Sequence, residues 1–218
     1  MEITLIYTNW KRNTNLTEII DNALKQTVLP KIIVIDNSSF DEINKFKFND
    51  PSIEIVKKDN SLMCWERWLT ALNCSSKYVC IMDDDLSFSR NNVIEDCLNY
   101  MEAFPDVDCI GVEGVSFVKH KQYGECNHYM AFKPNDIKVS MVKGRFMFVR
   151  HLSLKDLDLS PDLTCDDIKI NSFLKHKMLP AILSNSFYDL PQGKESLSGK
   201  SYQQNLREYA RNRYFKNS

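Results

Sequence analysis

Residues 78–88 read YVCIMDDDLSF: five largely apolar residues run without a polar break into three consecutive aspartates. A short, uninterrupted apolar run of this kind is the pattern of a strand covered on both faces, as in parallel sheets. Its end would therefore carry Asp83, Asp84 and Asp85 to the carboxyl edge of an open sheet, where α/β folds bind ligands beside a topological switch point. Three adjacent carboxylates repel unless a cation or hydrogen-bond donors face them. Hard Mg²⁺ or Mn²⁺ takes one or two protein carboxylates and leaves its other positions to water and substrate phosphates. The triplet thus reads as a metal–diphosphate site. Taken alone it reads equally as a solvated turn in which Asp85 or Ser87 caps the next segment. A second acidic pair, Asp166 and Asp167 in TCDDIKINSFLKHK, favours the first reading.

Working outward, residues 3–8 (ITLIYT), 32–36 (IIVID), 53–57 (IEIVK) and 109–112 (CIGV) are further strand candidates. Between them, 16–27 places Leu16, Ile19, Ile20, Ala23 and Leu24 on one helical face, and 62–74 does the same with Trp65, Trp68, Leu69 and Leu72. Asn91 or Asn92 can cap a third helix that runs to Phe104 and stops at Pro105. Strands alternating with helices predict an α/β fold with a mostly parallel, doubly wound sheet. From residue 113 the pattern changes: 113–138 is polar and irregular, and 139–149 is strand material broken at Gly144. Residues 184–218 read as a loop followed by a short basic helix. No linker or repeat divides the chain, so 1–218 is expected to be one domain, with 1–112 as its ligand half and 113–218 as its second half.

Composition removes several classes of function. With 218 residues, 43% hydrophobic and 26% charged, the chain is ordinary globular protein. Lys plus Arg is 28 against 29 for Asp plus Glu, so no global field attracts nucleic acid or an anionic membrane. The seven cysteines include no CxxC pair and suggest neither a disulfide framework nor a zinc site. His128, His151 and His176 lack metal-ligand spacing. The N-terminus has no basic region before its short apolar run, and no stretch approaches a membrane span. The expectation is a soluble protein with reduced thiols, located in the cytoplasm. The abundance of Asn, Lys, Ile and Phe suggests an AT-rich genome, viral or bacterial.

Four landmarks occur in order: TNWKR (8–12) ending a strand, DNSS (36–39) ending a second, DDD (83–85), and CDDI (165–168) opening a helix. In this the chain resembles glycosyltransferases of the GT-A fold, a three-layer arrangement of a central, mostly parallel mixed sheet flanked by helices. It looks closest to the exostosin-like branch and to small sugar transferases of large algal viruses, so a viral origin would place it in host cytoplasm. The resemblance implies a UDP-sugar donor, Mn²⁺ or Mg²⁺, and a glycan or glycoprotein hydroxyl as acceptor. It implies that Asp85 binds the metal that bridges the donor phosphates, that Asp83 faces the ribose and donor sugar with Asp84 beside it, and that Asp36 accepts from the uracil edge or ribose. Thr8 and Arg12 would line the nucleotide bed, and Arg67 matches a basic position on the helix before the triplet. The family usually shows T-Y-N-R at the first motif; here Trp10 and Lys11 take the middle places, and Trp10 can stack on uracil or serve as a core aromatic.

For the second acidic pair the resemblance implies that Asp167 does chemistry, as general base in inverting relatives or as a charge stabiliser in retaining ones, while Asp166 positions. Asp166 or Thr164 capping the helix is the competing reading. Arg207, Arg211 and Arg213 in the tail could close over the diphosphate behind a mobile LPQGKESLSGK lid (190–200), or simply form a solvated helix face. Trp65 and Trp68 are expected in the core. Two other classes remain: a nucleotidyltransferase, which normally has a glycine-rich loop where residues 8–15 have no glycine, and a non-catalytic nucleotide-sugar-binding module.

Overall fold

The computed structural model of the chain describes residues 2–38, 50–132, 134–155, 157, 160, 165–192 and 201–215. The first half runs β1 (Ile3–Asn9), α1 (Asn13–Leu24), β2 (Lys31–Asp36), β3 (Ile53–Lys57), α2 (Trp65–Leu72) and β4 (Tyr78–Asp83). β1 lies between β2 and β4 and is parallel to both, and β3 extends the sheet beyond β2, also in parallel. The apolar runs explain themselves here. In β4, Tyr78, Cys80 and Met82 enter the core on one face of the sheet while Val79 and Ile81 enter the core on the other. β2 divides likewise, Ile32 and Val34 against Ile33 and Ile35, so no position in these stretches is left for a polar side chain. α1 buries Leu16, Ile19, Ile20 and Ala23 against the first face, and α2 buries Trp65 and Trp68 against the second.

The chain continues through β5 (Leu86–Phe88), α3 (Val93–Ala103), β6 (Cys109–Gly111), β7 (Glu113–Ser116), β8 (Asn127–Met130), β9 (Ile137–Lys138), β10 (Met141–Val142), β11 (Phe146–Arg150), α4 (Asp166–Phe173), β12 (Lys177–Leu179), β13 (Phe187–Asp189) and α5 (Ser201–Tyr214). The main sheet has the order β3-β2-β1-β4-β11-β6-β12-β9. It is mixed rather than uniformly wound, because β11 enters antiparallel between β4 and β6. Side sheets β10-β7-β8 and β13-β5 flank it. This is the α/β, GT-A-type architecture that the sequence implied.

The expected break at Gly144 is present, and it separates two strands that lie in different sheets, β10 and β11. Other expectations needed correction. Residues 113–138, read as irregular, contain β7 and β8, whose exposed edge carries the polar side chains. That small sheet is pressed onto the main one at Gly111, where an added Cβ would lie 2.2 Å from Val142 Cγ1 and 2.6 Å from the Phe146 carbonyl oxygen. Asn92 sits at the start of α3 but makes no side-chain cap; instead Gln26 Oε1 accepts from the Ile94 N–H at 3.2 Å. α1 begins three residues earlier than its apolar face, with Asn13 and Asn15 buried in its first turn. None of the seven cysteines is joined in a disulfide, and five of them are buried. Among the described residues, no helix is long and apolar enough to cross a membrane.

Candidate active site

The parallel register of β1, β2 and β4 assembles the first three sequence landmarks. Thr8 pairs with Asp83 across one ladder, and Asn9 with Asp36 across the other, so these residues share the carboxyl edge of the sheet. The three aspartates then diverge to different partners, which is how like charges coexist there. Asp83 Oδ1 accepts from Arg67 Nη1 at 2.8 Å. Asp84 accepts the Trp10 backbone N–H at 2.8 Å and a hydrogen bond from Arg12 Nη1. Asp85 Oδ2 lies 3.1 Å from the same Arg12 nitrogen. Asn15, buried in the first turn of α1, donates to the Asp84 carbonyl at 2.9 Å and to the Pro191 carbonyl at 3.0 Å. The adjoining β5 pairs with β13, and the Leu190 N–H donates to the Asp85 carbonyl at 2.8 Å, so the triplet is clamped from both chain directions.

Arg67 is the hub that joins the triplet to the second acidic pair. Its side chain is 4% exposed, and Asp166 Oδ2 accepts from its Nε at 2.8 Å and from Trp68 Nε1 at 2.7 Å. α2 places Arg67 and Trp68 side by side, one facing the acids and one filling the core. Trp68 is thus core, as its spacing predicted, and also fixes Asp166. Asp166 Oδ2 is committed to these donors. The Asp166/Thr164 cap does not form on the Asp166 side: the N-cap position of α4 is Cys165, which makes no side-chain cap, and Thr164 lies outside the described residues.

Asp167 faces a different set. Its Oδ1 accepts the Ile168 N–H at 2.9 Å, and its Oδ2 lies 3.4 Å from the Gly144 nitrogen and 3.6 Å from Arg207 Nη1. Arg207 also donates to Tyr123 Oη at 3.0 Å. Asn171, one turn along α4, bonds to both backbone groups of Val142 and to the Asp167 carbonyl, locking helix to β10. Gly144 is required where Arg67 passes: a Cβ there would lie 2.6 Å from Arg67 Nη2 and 3.4 Å from Asp167 Cβ.

The tail does not act as a group. Among its three predicted arginines, Arg207 alone has an acidic site residue as a described partner. Arg211, predicted to bind donor phosphate, donates instead to the carbonyls of Val118 and Lys121 and stacks on Phe117 with its carbon 5.2 Å from the ring centre. Arg213 packs on Tyr214 at 5.4 Å and donates to Tyr209 Oη at 3.4 Å. The Arg211 contacts tie α5 to the 117–121 segment. Residues 193–200 of the expected lid lie outside the described residues.

At the end of β2, Asp36 is buried and its Oδ1 accepts from Asn9 Nδ2 at 2.9 Å and from the Ser38 N–H at 3.1 Å. That oxygen orders the strand ends. Trp10 is half-buried, with Lys11 Nζ 4.7 Å above its ring, and Lys11 takes the left-handed φ of 58° that turns the chain into α1.

Electrostatics are set by the packing. Burial pushes the Asp83 carboxyl up to about 6, with Arg67 opposing and the neighbouring aspartates reinforcing. Burial likewise raises Asp84 against the pull of Arg12. Cys64, beneath the site, is pushed up to about 12 by burial and Asp166, which makes it inert. Among the described residues no three His, Cys, Asp or Glu side chains converge into a ready cage. A Mg²⁺- or Mn²⁺-type site needs fewer, and the donor set fits: Asp85 Oδ1 and Thr8 Oγ1 are buried oxygens without a hydrogen-bond partner, beside a partly open Asp83.

Sequence reasoning missed Asn15 and Tyr123, which carry no local signal; it saw Gly144 only as a strand break and residues 190–192 only as the start of a lid.

Comparison with known proteins adds a family. The profile described as Glycosyl transferase family 2 matches residues 4–157. The chain is similar to the mannosyltransferase PcManGT from Pyrobaculum calidifontis, solved with GDP-Man and Mn²⁺ (TM-score 0.60, 18% identity, 82% of this chain and 54% of that one). It is also similar to Staphylococcus aureus TarS 1–349 in complex with UDP-GlcNAc (TM-score 0.67, 15% identity, 92% and 61%). These likenesses are of fold, and the chain spans a little over half the length of each of these structures. No curated protein matches the sequence. With most of its length matched by that profile, the chain belongs to glycosyl transferase family 2.

Proposed function

We propose that the protein is a metal-dependent glycosyltransferase that moves a sugar from a UDP-sugar to a hydroxyl of a glycan or glycoprotein acceptor. The observation that carries this reading is the carboxyl edge of β4, where three aspartates are separated onto two arginines and Asp85 retains a buried oxygen with no partner. Family membership supports the sugar transfer; solved neighbours hold UDP-GlcNAc in one case and GDP-Man with Mn²⁺ in another. The DDD and CDD forms support kinship with the exostosin-like branch, and a viral source. Residues 1–112 hold the donor and 113–218 the acceptor within one domain, working in the cytoplasm.

Asp85, aided by Thr8 and water, would hold Mn²⁺ or Mg²⁺. When bound there, the ion supplies Lewis-acid neutralisation of the departing diphosphate. Asp83 accepts from ribose and donor-sugar hydroxyls while Arg67 fixes its direction, and Trp10 covers the base beside Asp36. Asp167 accepts the proton of the acceptor hydroxyl as general base where attack inverts the anomeric centre, or steadies the oxocarbenium-like charge where, as in the exostosin-like branch, configuration is retained. Asp166 and Trp68 keep Arg67 in place throughout.

The test is calorimetric titration of UDP with and without Mn²⁺, on the wild type and Asp85→Ala, followed by a screen of UDP-sugars for hydrolysis and transfer. Metal-dependent UDP binding abolished in Asp85→Ala is the expected result. An absence of UDP binding under every metal condition would sink the UDP donor. A product of retained configuration would move Asp167 from base to charge stabiliser.

A further inference from the structure

We propose that Arg12 is the internal counter-cation of this site: it holds the place of the divalent ion on Asp85 and yields it only when ion and diphosphate arrive together. The inference rests on the donor-site reading above and adds to it an order of assembly.

One guanidinium faces two carboxylates. Arg12 Nη1 bonds to Asp84 and lies 3.1 Å from Asp85 Oδ2, while its Nε donates to the Gln192 carbonyl at 2.7 Å. Asp84 has the Trp10 N–H as a second donor. Asp85 has no other side-chain partner among the described residues: its Oδ1 is buried and unpartnered, and its carboxylate is 9% exposed. The carboxylate that the metal reading needs is thus the one that depends on Arg12 alone for its charge balance.

An ion of charge two seated on Asp85 would meet the guanidinium at a few ångströms, in surroundings where water screens poorly. The ion by itself is therefore opposed. A nucleoside diphosphate reverses the balance, because it brings negative charge and offers Arg12 the planar, two-point partner that guanidinium groups favour. Arg12 then exchanges carboxylate for phosphate, and the ion takes Asp85. Each ligand raises the affinity of the other by the same factor, as linkage demands. The exchange also releases the Arg12 bond to Gln192, in the stretch that Leu190 fastens to Asp85, so donor arrival is felt by the start of the tail.

The experiment measures metal binding without turnover. Mn²⁺ alone, UDP alone and the two together are titrated calorimetrically into the wild type, Arg12→Gln and Arg12→Lys, with thermal melting as the folding control. The expected result is that Arg12→Gln binds Mn²⁺ alone at least about tenfold more tightly than the wild type, and that the mutual enhancement of Mn²⁺ and UDP shrinks at least about tenfold. Arg12→Lys, which keeps the charge, stays within about threefold of the wild type in Mn²⁺ affinity. Unchanged or weaker Mn²⁺ binding by folded Arg12→Gln overturns the proposal and leaves the donor site standing. Failure of the wild type to bind Mn²⁺ even with UDP overturns both. If Arg12→Gln does not fold, side-chain ¹⁵N spectra of the wild type decide: the Arg12 Nε–H signal should hold still with Mg²⁺ alone and move with Mg²⁺ plus UDP. A signal that ignores the pair overturns the exchange.

Discussion

Replacing Arg67 with methionine removes the charge on which both acidic landmarks depend. The guanidinium is 4% exposed and contacts Asp83 at 2.8 Å and Asp166 at 2.7 Å. Methionine fills most of the volume, so the loss is electrostatic: Asp166, itself 10% exposed, is left with Trp68 Nε1 as its remaining side-chain donor. Removing one partner of a buried pair costs about 3–5 kcal/mol, because the other charge stays behind. Asp83 adds little, since its 35% exposure lets water in and its raised carboxyl takes a proton readily. For a 218-residue chain, at about 2–4 °C per kcal/mol, the melting temperature should fall by roughly 6–20 °C. A second change on top of the first should restore stability. In Arg67→Met/Asp166→Asn the stranded charge is gone and an amide oxygen still accepts from Trp68, so the double variant should be more stable than Arg67→Met by about 1–3 kcal/mol. Urea unfolding of the four proteins, read by tryptophan fluorescence, gives the cycle. A double variant less stable than Arg67→Met would refute the stranded-charge account, because Asp166 would then be stabilising without Arg67.

Three further changes probe the rest of the site. Gly144→Ala places a methyl 2.6 Å from Arg67 Nη2, so it should displace the guanidinium and cut metal-dependent UDP binding at least about tenfold, for an unfolding cost of about 1–3 kcal/mol; titration and urea unfolding separate the two effects. Arg207→Gln takes the cation 3.6 Å away from Asp167, which is only 7% exposed but keeps the Ile168 and Gly144 N–H groups as donors, so it should cost about 1–3 kcal/mol. It should leave UDP affinity within about twofold and lower transfer at least about tenfold; equal losses in both would return Arg207 to the donor phosphates. Lys177 is pushed down from 10.5 to about 8 by burial, so the unfolded chain binds more protons between those values. Stability of the wild type relative to Lys177→Met should therefore rise as pH climbs from about 8 toward 10.5, as paired urea titrations would read.

The first half was legible because its information is local. Apolar runs buried on both faces can be read residue by residue, and a parallel register then aligns strand ends without further instruction: once β1, β2 and β4 are neighbours, Thr8, Asp36 and Asp83 share an edge. The second half was not, because its strands are two to five residues long and the register that matters is set by contacts between distant segments. β11 was recognisable as strand material, but nothing in FMFVR says that it enters antiparallel beside β4. The arginines of α5 show the same limit. Arg207 and Arg211 lie one helical turn apart and are identical in type, yet Tyr123 and the start of α4 put Asp167 beside one, while the turn at 118–121 presents backbone carbonyls to the other. The sequence tells how many cations the helix carries; only packing decides which of them meets a carboxylate. The same division explains Arg12, whose place in a motif suggested a lining for the nucleotide bed, and whose present partners are the two aspartates that phosphate and metal would have to separate from it.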